Sequence, residues 1–91
     1  MVMTRSKVEE FCEDSFPGVE ILLADGFDEA FIGVGSQFSN EPIAVYDRDK
    51  CIEVLMKRDE MTYEDAVEYF DFNVQGAWVG EKTPIFVECK Q

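Results

Sequence analysis

The chain has 91 residues, of which 46% are hydrophobic and 13% aromatic, and its formal net charge is −12. This length predicts one domain spanning residues 1–91, and the composition excludes a disordered chain. The absence of histidine removes the commonest metal ligand and general base, and the acidity argues against direct binding to nucleic acid or anionic membranes.

The first half of the chain predicts one helix followed by three short strands. Ser6 and Glu9 have the spacing of a capping box, which predicts a helix over about residues 6–15. Alternation of apolar residues then predicts strands at 19–24, 30–35 and 43–46.

The second half predicts two helices and a closing strand. Asp47 is a suitable N-cap for the segment RDKCIEVLMKRD, and Thr62 is one for the next helix. Because only about three residues connect these helices, we expect an αα-hairpin. A last strand follows at 85–89. The order α-β-β-β-α-α-β predicts an α+β fold, in which the N-terminal helix and the hairpin pack on one face of an antiparallel sheet of three to four strands.

The last predicted helix separates an apolar stripe from an acidic side. On a helical wheel the stripe comprises Tyr63, Ala66, Val67, Phe70, Val74, Ala77 and Trp78. Phe72 falls instead among the acidic residues, and Tyr69 lies near the edge of the stripe. An aromatic residue on a charged face predicts a protein contact or a dimer surface. The alternative is that a loop or a neighbouring helix covers Phe72.

Four carboxylates form a predicted ladder on that acidic side: Glu60, Glu64, Glu68 and Asp71. Their spacing of three and four residues places neighbours about 5–6 Å apart along the helix axis, a distance comparable with that between phosphates along a nucleic-acid strand. Like charges at this spacing cost a few tenths of a kcal/mol per pair. The ladder therefore suggests a nucleic-acid mimic, and the alternative is a solvated acidic helix face.

Metal, cofactor and catalytic signatures are absent from the sequence. Cys12, Cys51 and Cys89 are widely spaced, which argues against a zinc site and a disulfide framework, and the last two are expected to be buried. The triplet Asp47-Arg48-Asp49 opens a helix, where acidic residues are favoured without a metal. With neither a phosphate loop nor an activated nucleophile, we expect a protein that is not an enzyme and uses no cofactor.

The sequence also predicts a location. It contains no apolar run long enough for a membrane span, and the N-terminus MVMTRSKVEEF lacks the apolar core of a signal peptide. We therefore expect a soluble, intracellular protein.

The segments IAVYDRDKCIEVLMKRD and MTYEDAVEYFDFNVQGAWVGEKTPIFV resemble a group of short uncharacterised proteins of bacteria and their phages. The resemblance covers roughly residues 31–87, and its most specific part is YFDFNVQGAWVGEKTPIF. In small size, acidity and lack of a catalytic signature, the chain is also similar in type to phage inhibitors of host defence, anti-CRISPR proteins among them. This resemblance implies a cytoplasmic protein of a host cell.

The leading hypothesis from the sequence is a non-enzymatic binding protein of phage or mobile-element origin. It inhibits a nucleic-acid-handling defence complex of the host by occupying a basic cleft. Its predicted contact residues are Glu60, Glu64, Glu68 and Asp71, with Tyr69 and Phe72 as anchors. A second hypothesis is a self-associating accessory module, such as a homodimer, whose acidity serves solubility. A third is a binder of a small ligand such as a nucleotide, which would use the glycine side of the second strand (Gly33 and Gly35) under Trp78.

Overall fold

The computed structural model describes residues 4–37, 41–77 and 80–89. These residues form an α+β fold, as predicted, in the order α-β-β-α-α-β. The elements are α1 (Arg5–Ser15), β1 (Phe31–Gly35), β2 (Ile43–Asp47), α2 (Arg48–Arg58), α3 (Tyr63–Tyr69) and β3 (Ile85–Val87). A 3₁₀ turn (Asp28–Ala30) precedes β1, and a π-helical segment (Phe70–Gln75) extends α3.

Side-chain caps fix the start of each α-helix. The Asp47 carboxylate accepts a hydrogen bond from the backbone N–H of Lys50 at 3.2 Å, and the Thr62 hydroxyl accepts one from Asp65 at 3.2 Å. Both predicted caps are confirmed. The predicted cap of α1 is wrong, because Thr4 holds the extended backbone of a cap and accepts from the N–H of Lys7. Ser6 already lies inside the helix.

The sheet has the strand order β1-β2-β3 and is mixed. β1 pairs with β2 in antiparallel orientation, as predicted, whereas β3 pairs with β2 in parallel orientation. The prediction of an all-antiparallel sheet is therefore wrong for β3. The physical reason is the helical connection: α2 and α3 form a crossover long enough to return the chain to the starting end of β2.

The predicted strand at 19–24 does not form a strand in the structure. Its apolar side chains still pack against the core, since Ile21 and Leu23 are partly buried there. The backbone N–H of Ala24 donates to the Tyr46 hydroxyl at 2.9 Å instead of to a neighbouring strand. The sequence thus predicted correctly that this segment packs on the core, but burial does not alternate along it, since Val19 is exposed and Ala24 packs on the core beside Leu23. A strand also needs a partner backbone.

An aromatic row on the inner face of the sheet forms the centre of the core. Phe31, Tyr46 and Phe86 lie side by side on the three strands, with centroid distances of 5.6 Å on either side of the tyrosine. Phe11 of α1 packs on Phe31, and Phe70 packs edge-on against Phe86 at 5.0 Å. The helices therefore cover the same face of the sheet, as predicted.

None of the helices in the described part of the chain combines the length and the apolar composition that crossing a bilayer requires.

Candidate partner-binding site

The candidate site lies where α3 continues into the π-helical segment. At this junction the backbone N–H of Phe70 is shared between the carbonyl oxygens of Ala66 and Val67, four and three positions earlier, and the wider π-helical segment begins. Phe70 is fully buried, whereas Phe72, two residues later, is 78% exposed. The Asn73 side-chain amide donates to the Tyr69 carbonyl at 3.2 Å and so links the π-helical segment to the end of α3.

A shallow depression, open to solvent and about 520 Å³ in volume, lies along this junction. Its lining residues follow one another at helical spacing from just before α3 into the π-helical segment, so that they form a single stripe. We call this stripe the acidic–aromatic face, and it consists of Met61, Asp65, Glu68, Tyr69, Phe72 and Asn73. It combines two exposed rings with two carboxylates and contains no Lys or Arg.

The structure brings together three of the six predicted contact residues: Glu68, Tyr69 and Phe72 line the same depression. Glu64 is exposed and lies one helical turn before Glu68. The exposure of Phe72 agrees with its predicted place on the acidic side, and no described loop or helix covers it. Whether these residues bind a partner stays a prediction.

The predicted ladder of four carboxylates is wrong in geometry at both of its ends. Glu60 lies in the connection before the Thr62 cap, with a positive φ of 53°, and therefore outside the helix. At the other end, Asp71 accepts from the guanidinium of Arg48 at 3.0 Å. Its negative charge is therefore compensated within the molecule, and only Glu64 and Glu68 remain as a helical pair.

The predicted apolar stripe of this helix is only partly buried. Ala66 and Phe70 are fully buried, whereas Tyr63 is 59% exposed and Ala77 is exposed as well. Tyr63 is the first residue of α3 after the Thr62 cap. Trp78 lies outside the described residues.

Sequence reasoning missed Asp65, Met61 and Asn73 as members of the site. The sequence pattern identifies Asp65 only as an acid of the first helical turn, where the helix dipole favours it. Its position three residues before Glu68 and four before Tyr69 was the available signal, since such neighbours share a helix face. Asn73 could not have been placed, because its orientation depends on the π-helical widening.

Gly76 ends the π-helical segment at a point where its backbone lies close to the preceding turn. A Cβ atom at this position would lie 3.0 Å from the carbonyl oxygens of Asp71 and Phe72. Gly76 is therefore a requirement of the backbone that presents the exposed phenylalanine.

Gly76→Ala is expected to lower the free energy of unfolding by about 1 kcal/mol, because the added methyl group must displace those two carbonyls. Urea unfolding measures the change. Gly33→Ala is the matched control, since a Cβ there would meet nothing within 4 Å. A Gly76 variant as stable as the Gly33 variant would contradict this account of the turn.

The cysteine thiols have raised pKa values, which keeps them protonated. Burial, with a smaller effect of the Asp47 carboxylate, raises the pKa of Cys51 to about 12. Burial also raises the pKa of Cys12. Cys89 is exposed, contrary to the expectation of burial, because β3 ends before it. Desolvation and the Asp47 carboxylate raise its pKa too. A raised pKa is the opposite of what activates a nucleophilic thiol.

No group of three or more potential metal-ligating side chains occurs within the ranges that the structure describes. In the triplet Asp47-Arg48-Asp49, the first carboxylate caps α2 and the arginine pairs with Asp71.

No described element outside the sheet packs closely against the backbone of Gly33 and Gly35 in β1, although the sequence predicted such packing. A Cβ at Gly33 would meet open space, and one at Gly35 would meet only the Val45 side chain of the adjacent strand, at 3.3 Å. Since Phe31 and Tyr46 face the core, alternation places Val45, Ile85 and these glycines on the outer face. Ile85 is 44% exposed, and Ile32 at the bulge is 51% exposed.

A second depression, about 410 Å³ in volume and mostly apolar, lies between the extended segment 22–25 and the chain around Pro84. Phe27, Val74 and Phe86 contribute to its walls. All three also belong to the hydrophobic core or pack against it, so that this depression is a recess in the core surface.

Comparison with known proteins gave no match: no family model, no curated protein and no solved structure is similar to this chain. The resemblance to bacterial and phage proteins therefore stays a prediction.

Proposed function

We propose that this protein acts by binding another protein, and that the acidic–aromatic face is the surface that docks. The observation that carries the proposal is the 78% exposure of Phe72. A large apolar ring held in water gives no benefit to an isolated domain, whereas rings at the centre of an interface supply much of its binding energy. Tyr69, which is 41% exposed, adds a second ring beside it.

The partner surface that fits this face is basic. Asp65 and Glu68 line the depression, and Glu64 lies one turn away on the same helix. The whole chain adds to this local field, since its net charge is −12. Charge of one sign attracts a complementary surface over several ångströms and speeds encounter at low salt.

The basic partner in this proposal is a nucleic-acid-handling complex, and the protein inhibits it by occupying its binding cleft. Such clefts carry Lys and Arg side chains that neutralise phosphates. Glu64 and Glu68 are one helical turn apart, about 6 Å along the axis, which suits a cleft that binds a series of phosphates. The proposal includes a phage or mobile-element origin and action in the cytoplasm of the host.

Charge reversal on α3 tests this function. The double variant Glu64→Lys/Glu68→Lys is expected to lose capture of nucleic-acid-binding proteins from a bacterial lysate, whereas the wild type captures them and releases them when duplex DNA is added. The measurement is quantitative mass spectrometry of the captured proteins at about 0.1 M salt, where charges separated by about 10 Å still interact.

The matched control is Glu10→Lys/Asp14→Lys on α1, where both residues are exposed and four positions apart. Either double variant changes the net charge from −12 to −8, because each substitution removes one negative charge and adds one positive charge. Equal loss of capture in both would show that only net charge matters. Captured proteins that duplex DNA does not release would contradict the inhibitor proposal.

Self-association is a second candidate, and the outer face of the sheet favours it. Ile32 and Ile85 are exposed there, and the strands carry apolar residues on both faces, a pattern typical of sheets buried on both sides. Strands of five, five and three residues cover about 200 Å², however, whereas a stable dimer needs about 800 Å² from each partner. Light scattering over a range of protein concentrations would detect a dimer, and charge reversal on α3 would leave such a dimer intact.

A further inference from the structure

Two arginines of the fold make the same pair of contacts. Each lies over an aromatic ring and donates a hydrogen bond to an oxygen atom. Arg48 lies 5.6 Å from the centre of the Phe70 ring and donates to Asp71 at 3.0 Å. Arg58 lies 5.5 Å from the centre of the Phe27 ring and donates to the Gly26 carbonyl at 2.9 Å. Guanidinium groups suit such sites because the flat face of the group stacks on a ring while its N–H groups donate hydrogen bonds at its edge.

The acidic–aromatic face has the same components without an arginine. Glu68 and Tyr69 are adjacent in sequence, as Phe70 and Asp71 are, and Phe72 follows one turn later. Within the described ranges, no ion pair or hydrogen bond reaches the carboxylate of Asp65 or Glu68. Elsewhere Arg5, Lys50 and Lys82 each pair with a carboxylate.

From this arrangement we infer that the acidic–aromatic face is a docking surface for an arginine side chain in a basic segment of the partner. This inference rests on the proposed function and specifies the chemistry of the contact. The guanidinium stacks on Phe72 or Tyr69, and its N–H groups donate to the Glu68 and Asp65 carboxylates. The depression of about 520 Å³ is within the size range of sites that take a small group.

Arginine fits this surface better than lysine does. A lysine ammonium is a compact, strongly hydrated charge that neither stacks on a ring nor forms two parallel bonds to a carboxylate. Arginine does both, and its charge persists at every physiological pH because its pKa lies far above that range. The surface therefore distinguishes between two residues of the same charge.

The test uses three synthetic peptides of one Gly/Ser sequence that carry, at the same two positions, arginine, lysine or the neutral analogue citrulline. The full chain is titrated with each peptide, and side-chain NMR resonances report the binding. We expect the arginine peptide to shift the resonances of Tyr69 and Phe72, the lysine peptide to bind several-fold more weakly, and the citrulline peptide to bind least.

Two variants and a control locate the contact. Phe72→Ala and Glu68→Gln are each expected to weaken binding of the arginine peptide about tenfold. Glu10→Gln on α1 removes one negative charge elsewhere and should leave binding unchanged. Circular dichroism verifies that Phe72→Ala folds, as its exposed position leads us to expect.

Several results would overturn the inference: no shift at Tyr69 and Phe72, equal binding of the arginine and lysine peptides, or equal weakening by Glu68→Gln and Glu10→Gln. Failure here is distinct from failure of the proposed function. If capture depends on Glu64 and Glu68 but the arginine peptide does not bind, the proposed function stands and arginine is excluded as the contact. If the peptide binds but no such capture occurs, the arginine site stands and the proposed function fails.

Discussion

Replacing Phe70 with alanine is expected to lower the free energy of unfolding by about 3–5 kcal/mol. Phe70 is fully buried, and its ring packs edge-on against Phe27 and Phe86 at centroid distances of 6.3 and 5.0 Å. Its removal leaves a cavity where α3, the sheet and the segment before β1 meet. A domain of this length has a total stability of about 5–14 kcal/mol, so that much of the margin is lost.

Urea unfolding of the variant gives this change directly. Phe72→Ala is the matched control, because it makes the same chemical change two residues away on an exposed ring. A surface substitution of this kind shifts stability by about 0.5 kcal/mol or less. Similar losses at Phe70 and Phe72 would contradict the division of this helix into a buried and an exposed side.

Alkaline pH is also expected to lower the free energy of unfolding substantially. Burial raises the pKa of Tyr46 to about 12, and it raises that of Cys51 to about 12 as well. The folded state therefore holds both protons more tightly than the unfolded chain does, where the ordinary values are 10.0 and 9.0. The resulting stabilisation is complete below pH 9 and is lost as the pH rises towards 12.

Each group contributes a slope of about 1.4 kcal/mol per pH unit above its ordinary pKa. At pH 10.5 the two groups together are expected to have lowered the free energy of unfolding by about 3 kcal/mol relative to pH 8. Urea titrations at a series of pH values measure this loss.

Single substitutions separate the two groups. In Cys51→Ala the decline should begin near pH 10 instead of pH 9, and in Tyr46→Phe it should be less steep above pH 10. A stability that stays constant between pH 8 and 10.5 in the wild type would show that neither proton is held by the folded state.

The parts of the fold that the sequence predicted correctly are those determined by neighbouring residues. The caps Asp47 and Thr62 act within three residues of their own positions, which is why both helix starts could be recognised. The strand pairing could not be derived in the same way. The parallel orientation of β3 depends on where the two-helix crossover ends relative to β2. The segment 19–24 has no partner strand among the described residues, and only the tertiary structure could reveal that absence.

The same distinction holds for the candidate site. The wheel at 100° per residue placed Phe72 on the exposed side correctly, because only two positions separate it from the end of the regular helix at Tyr69. It could not show that Asp71 pairs with Arg48, which lies 23 positions earlier and belongs to another helix. It also extended the ladder to Glu60, although a Thr62 cap already implied that the helix begins later.

The parallel pairing of β2 with β3 has a consequence for how the molecule folds. Val45 and Ile85 are register partners, so that 40 positions of chain must form a loop before their strands meet. Contacts between near neighbours, such as the β1–β2 hairpin and the α2–α3 pair, form without closing so long a loop. β3 is therefore the last strand to add to the sheet, and until it does, one side of β2 stays open to pairing with another chain.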